Sequence, residues 1–263
     1  MKPEIHVLGL SIKTFGVMFA LGFAAAGAVL ARRFKELGRP ADWADEMIFA
    51  GLIGGLVGSR LYYIVQNYDD VKSDLLGNLF SGSGLVWYGG AIGGAISVLA
   101  WARWRGVLGL GLLDLAAAPL SLGYAIGRIG CQVSGDGDYG KPSHLPWAMG
   151  YPHGTLPTPS GVQVQPTPIY ETLATGLTAW ALWRARDAFR PGALFASYLV
   201  LSGAERLLVE FVRRNTEVVA GLTSPQLESI GLMLAGGIWL AWLARRGGLR
   251  STQPDPLSVA ATA

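Results

Sequence analysis

Long apolar runs, separated by short polar or basic stretches, recur along the whole chain. Seven windows carry roughly 20 mostly apolar residues, the length that crosses about 30 Å of hydrocarbon. They are approximately residues 14–31, 46–66, 84–102, 107–128, 168–184, 192–212 and 224–244. The pattern predicts an all-α integral membrane protein of about seven transmembrane helices. Between the fourth and fifth windows, residues 129–167 lack a continuous apolar run and hold Pro142, Pro146, Pro152, Pro157, Pro159 and Pro166 among glycines. Such punctuation predicts an irregular arm or small head rather than another span. Residues 248–263 have little to bury and are expected to form a disordered tail, which leaves 1–247 as one membrane domain.

Composition agrees: 51% of the 263 residues are hydrophobic and 15% charged, and the mean hydropathy is +0.37. These values are too apolar for an ordinary soluble domain. The basic residues then set an orientation, because positive residues near span ends stay on the cytoplasmic side. Arg32, Arg33, Lys35, Arg39, Arg103, Arg105, Arg184, Arg186, Arg190, Arg245, Arg246 and Arg250 follow the odd-numbered windows. The opposite side holds only Lys2, Lys13, Lys72, Lys141, Arg213 and Arg214. The N-terminus is therefore expected outside, the C-terminus in the cytoplasm and the 129–167 arm or head on the extracytoplasmic face. Ala24, Ala25 and Ala26 resemble a signal-peptide cleavage site, but the basic cluster follows the apolar run, as in a retained anchor. A net charge of +3 is too small to argue for nucleic acid. One cysteine and three scattered histidines offer no metal-ligand spacing, so neither a metal nor another cofactor is expected.

Glycines are concentrated in two windows: Gly51, Gly54, Gly55 and Gly58 in the second, Gly89, Gly90, Gly93 and Gly94 in the third. Apolar helices gain little from the hydrophobic effect within lipid, so small residues that let backbones approach are a common means of association. Neither GGAIGG nor GLGLL has the strand before it, or the GKS or GKT after it, that a nucleotide loop requires.

Ionisable residues inside spans are more informative, since each costs about 2.5–3.5 kcal/mol on insertion scales and usually faces a cavity or a partner. Arg60, Arg128, Arg206, Asp114, Glu171, Glu205 and Glu210 fall within or at the rim of windows. Arg206, Glu210 and Arg213 are spaced i, i+4, i+7, one face of a helix. An internal ion-pair network would explain any one arginine. Arg60, Arg128 and Arg206 all belong to outward-running windows and are expected in the outer leaflet half. Two carboxylates would not neutralise them, whereas a lipid phosphate would, and guanidinium forks suit phosphate oxygens.

Several segments, taken together, resemble the bacterial prolipoprotein diacylglyceryl transferase family. GRIGCQVSGDGDYG (Gly127–Gly140) resembles its signature, in which Gly-Arg-x-Gly-Asn precedes a polar stretch, an acidic residue and a glycine. GLVGSRLYYIV around Arg60, QPTPIYE ending at Glu171, ERLLVEFVRR (Glu205–Arg214) and SPQLESIGLML are similar to further family segments in the same order. The chain departs from the family at Tyr88, where a histidine precedes two glycines, and at Cys131, where the signature has asparagine. Phe15 stands for a tyrosine, Asp136 for a glutamate, and an extra residue precedes Gly140.

The resemblance implies transfer of the diacylglyceryl group of phosphatidylglycerol to the lipobox cysteine thiol of a prolipoprotein, releasing glycerol phosphate, at a bacterial cytoplasmic (inner) membrane. It implies Arg128 and Arg206 as catalytic phosphate holders, joined by Tyr88 at the histidine position. Phosphatidylglycerol contacts are implied for Arg60, Gly89, Gly90, Asp136 and Glu210. A phenol of ordinary pKa about 10 is a poor base, so Tyr88 is expected to donate a hydrogen bond or to serve as an interfacial anchor. The departures leave open a paralogue that binds anionic lipid or a lipidated partner without transfer.

Overall fold

A computed structural model describes residues 1–7, 10–72, 77, 86–250 and 257. Eight helices are found among them: α1 (Thr14–Glu36), α2 (Trp43–Gln66), the short α3 (Tyr68–Val71), α4 (Trp87–Arg105), α5 (Leu110–Ser134), α6 (Thr167–Ala185), α7 (Ala193–Glu210) and α8 (Ser224–Arg245). Strands β1 (Glu4–Val7) and β2 (Leu10–Lys13) form an antiparallel hairpin before α1, and β3 (Glu217–Val219) and β4 (Leu222–Thr223) form another before α8. Four of these helices, α1, α2, α5 and α8, are long and apolar enough to cross a membrane. On α2, Phe49, Ile53, Leu56 and Val57 are all exposed, a surface that suits lipid rather than water.

The chain divides into two compact units, one of Met1–Val29 with Leu113–Pro256, the other of Leu30–Leu112 with Leu257–Ala263. In the second, α2 and α4 meet through glycines. A Cβ on Gly93 would lie 2.8 Å from the Cα of Gly58, and one on Gly54 would lie 2.5 Å from the Gly93 carbonyl oxygen. The absent side chains are thus what allows the contact. Ser59 ties it further by donating to the Val86 carbonyl at 2.8 Å. At one end of this unit Trp101 and Arg105 both donate to Glu46, and Gly106, with φ of 70°, ends α4 in the left-handed conformation.

In the first unit, Asp114 has a structural role that its position in an apolar window does not announce. Its two oxygens accept the backbone N–H groups of Gly192 at 2.7 Å and Phe195 at 2.8 Å. Those are donors that the start of α7 leaves without helical partners, so α5 caps α7 through this carboxylate.

The expected fourth span ends at 128, but α5 continues to Ser134. Gly127 and Gly130 therefore do not stop the helix. A Cβ on Gly130 would sit 3.0 Å from Met18 Cβ and 3.4 Å from the Phe15 ring, so this glycine serves close packing against α1. The irregular segment begins only at Gly135 and is ordered around Tyr139, Tyr151 and Val164, with the two tyrosine rings stacked at 4.8 Å. Of the expected tail, residues 251–256 and 258–263 lie outside the described residues; nearer the helix, Arg190 donates its backbone N–H to the Leu249 carbonyl at 2.9 Å.

Candidate active site

Glu171 is the centre of the first unit's polar interior. Its position follows from local sequence: Pro166 and Pro168 favour a helix start, and one turn later Glu171 projects between α5 and α7. It is fully buried, and three guanidiniums converge on it. Arg206 approaches Oε1 at 2.9 Å, Arg128 the same oxygen at 3.2 Å, and Arg213 reaches Oε2 at 3.1 Å. Arg128 also donates to the Tyr124 hydroxyl at 2.6 Å, which donates to Glu171 Oε1 at 3.1 Å.

Two further carboxylates complete the cluster. Asp138 pairs with Arg128 through one oxygen and with Arg213 at 2.6 Å through the other. Burial alone would raise the pKa of this carboxyl; the guanidiniums of Arg128 and Arg213 outweigh burial and hold it below its ordinary value. Its backbone is fixed as well, because Thr167 donates to the Asp138 carbonyl at 2.5 Å. Gly140 permits this approach, since a Cβ there would lie 2.5 Å from the Val212 carbonyl oxygen. Glu210 lies 3.4 Å from Arg206 and 3.8 Å from Arg213. Its other oxygen accepts from Asn215 at 2.6 Å and from Thr223 at 2.8 Å, which ties the end of α7 to the start of α8.

The charge balance differs from the sequence expectation of arginines outnumbering carboxylates. Arg128, Arg206 and Arg213 face Asp138, Glu171 and Glu210, so each guanidinium has anionic partners within the protein. Accessibility separates them: the Arg206 side chain is 22% exposed and Arg128 12%, against 8% for Arg213 and none for Glu171. Arg206 makes one hydrogen bond among the described residues, to Glu171, and a longer ion pair of 3.4 Å with Glu210, so some of its five N–H donors remain for an anion.

The structure thus brings Arg128, Arg206 and Glu210 together. Asp138 is the aspartate that meets Arg128; Asp136 instead accepts the Asp138 backbone N–H at 3.2 Å. Cys131 is buried, with its sulfur 3.7 Å from an Arg128 nitrogen. Arg60, Tyr88, Gly89 and Gly90 belong to the other unit, where Arg60 is buried and Tyr88 is 45% exposed. Gly89 faces the Gly58 backbone and Tyr62. Sequence reasoning gave no role in the site to Tyr124, Asp138 or Arg213. For Arg213 the signal was its i+7 spacing from Arg206, although α7 ends at Glu210 and Arg213 follows it.

A model of the prolipoprotein diacylglyceryl transferase family matches residues 3–242. The chain belongs to that family. A phosphatidylglycerol–prolipoprotein diacylglyceryl transferase of Clostridium tetani is 35% identical over 241 residues, covering 90% of this chain and 95% of the relative. A protein of the same name from Leptospira interrogans is 32% identical, covering 82% and 76%, and one from Dehalococcoides mccartyi is 33% identical, covering 86% of each. The family match includes every residue of the arginine and carboxylate cluster.

Proposed function

We propose that this protein transfers the diacylglyceryl group of phosphatidylglycerol to the lipobox cysteine thiol of a prolipoprotein and releases glycerol phosphate. Family membership over nearly the whole chain supports the reaction. The observation that carries the site is the pair of partly exposed guanidiniums, Arg128 and Arg206, braced from behind by the buried Glu171.

In this reading the thiol sulfur attacks a glycerol carbon and the phosphate ester leaves. Negative charge gathers on the leaving oxygen, so hydrogen bonds from Arg128 and Arg206 strengthen along the reaction and lower its barrier. Arg213, Glu171, Asp138 and Tyr124 hold those two guanidiniums in place before the lipid arrives, so little reorganisation is left for the reaction step. Glu210 orients Arg206. Arg60, Gly89, Gly90 and Tyr88 are assigned to the lipid by the family resemblance, Tyr88 as a hydrogen-bond donor, and Asp136 by its place in the signature. The protein is taken to sit in the bacterial cytoplasmic membrane with seven spans, N-terminus outside and C-terminus in the cytoplasm, an orientation that the positive-residue bias supports. The irregular segment is taken as an extracytoplasmic head.

The test is transfer of a labelled diacylglyceryl group to a lipobox peptide by membranes containing this protein, together with rescue of cells depleted of their own transferase. Wild type is expected to be active, and Arg206→Ala and Arg128→Ala to lose transfer. Phosphatidylglycerol binding without transfer or rescue by the wild type would sink the reading in favour of a binding paralogue.

A further inference from the structure

The carboxyl groups around the arginines are mostly engaged already, and Asp136 accepts the Asp138 backbone N–H. Asp138 accepts from Arg128 and Arg213, Glu171 from guanidiniums and Tyr124, and Glu210 from Asn215 and Thr223. Glu205 differs. Only 8% exposed, it immediately precedes Arg206 on α7 and lies within electrostatic reach of Glu171 on α6, Arg128 on α5, and Arg206 and Arg213. Its Oε1 is buried with no hydrogen-bond partner among the described residues, and no ion pair reaches it among them. A buried polar atom left so costs about 1–3 kcal/mol. Stability therefore does not account for it.

The transfer step produces a proton that needs a place to go. A proton delivered to Asp138, Glu171 or Glu210 would break an ion pair or a hydrogen bond. One delivered to Glu205 breaks neither, and it removes the negative charge that Glu205 adds to three already balanced guanidiniums. We propose that Glu205 is the proton acceptor of the transfer, a role that rests on the diacylglyceryl-transfer reading of this site. The thiol S–H bond breaks and its proton passes to Glu205 Oε1. The sulfur electron pair forms the bond to the glycerol carbon, and that carbon's bond to the phosphate-ester oxygen breaks with its pair on oxygen. The added charge of the departing glycerol phosphate faces Arg128 and Arg206, and Glu205 then returns its proton to the leaving phosphate.

The experiment compares the full-length wild type, Glu205→Gln and Glu205→Asp in phosphatidylglycerol vesicles, with labelled transfer to a lipobox peptide measured across pH and lipid binding measured in parallel. Glu205→Gln is expected to be slower by about 100-fold or more near neutral pH, the lower range for loss of a general base. It should recover as pH approaches about 8.5, where a cysteine thiol ionises unaided, and lipid binding should be unchanged. Glu205→Asp should be slower but keep the wild-type pH profile. A wild-type rate for Glu205→Gln overturns the proposal, as does a loss uniform across pH or accompanied by loss of lipid binding. Should Glu205→Gln fail to fold, Glu205→Asp decides: a profile that climbs with thiol ionisation overturns the assignment. A wild type that binds lipid and transfers nothing overturns the functional reading as well, whereas active wild type with equally active Glu205→Gln overturns this role alone.

Discussion

Two helix contacts in this protein are built from opposite materials. Where α2 meets α4, side chains are missing, and Gly54, Gly58, Gly89 and Gly93 let backbone lie on backbone. Where α5, α6 and α7 meet, charged side chains fill the space around Glu171. The glycine contact owes its strength to dispersion over many atoms, none of which is chemically special. The ionic contact concentrates its energy in a few groups, and each carboxylate serves more than one guanidinium. Damage to the first should act through distance between helices, damage to the second through uncompensated charge.

Removing the centre of the ionic contact should have the largest effect. Glu171→Ala leaves Arg128, Arg206 and Arg213 converging on a cavity, and breaking a buried pair in this way costs about 3–5 kcal/mol. We expect transfer to be lost and thermal stability in detergent to fall steeply; Glu171→Asp should recover part of the stability without restoring full transfer. A wild-type melting temperature for Glu171→Ala would show that the cluster bears none of the fold's stability.

The glycine contact should fail next. In Gly93→Ala the new methyl group would overlap Gly58 and Gly54, so α2 and α4 must separate, at a cost of about 1–3 kcal/mol for overpacking. Gly237→Ala is the matched control: nothing lies within 4 Å of a Cβ there, and alanine in a helix is favoured over glycine by up to about 1 kcal/mol. The contact is sharpened if the two variants move the melting temperature in opposite directions, and equal destabilisation would refute its steric account.

A third kind of contact sits between these extremes. Asp114 uses a charge as a cap rather than as an ion partner, so Asp114→Ala should cost about 1–2 kcal/mol, as for loss of an N-cap. Asp114→Asn, which keeps one accepting oxygen, should cost less. Melting curves of both separate a capping role from an electrostatic one.

These contacts were unequally legible in the sequence. Helix positions and the glycine pairs could be read directly, because apolar length and small-residue spacing are local properties. The end of α5 was misjudged because the apolar run stops at Arg128, whereas the helix continues through Gly130, which packs against Met18 and Phe15. Arg128, Arg206 and Glu210 were named because charge inside an apolar window is conspicuous. Asp138 was not, since Asp136 and Asp138 stand two residues apart in a polar stretch and only the chain's path past Thr167 and Val212 decides between them. Arg213 was read as part of a stripe on one helix face, and its role in the site was missed because its partners lie 42 and 75 residues away along the chain. Charge balance is a tertiary property, and no window reports it.

The smallest effect expected is the pH response of Asp138, and its sign follows from the two guanidiniums beside it. Burial raises the pKa of its carboxyl, but Arg128 and Arg213 bring the folded value below the ordinary 3.8. A depressed folded value means that the unfolded chain binds the proton more readily, so the stabilisation is fully present above the unfolded value and is lost as pH falls through the folded one. Melting temperature attributable to this group should therefore be flat above about pH 5 and decline only in more acid solution. In Asp138→Asn that acid decline should shrink, while stability near neutral pH drops because Arg128 and Arg213 lose a shared anion. If wild type and Asp138→Asn lose stability in parallel below pH 3.8, the acid response comes from other carboxyl groups, and the two guanidiniums do not hold Asp138 ionised in the way their geometry requires.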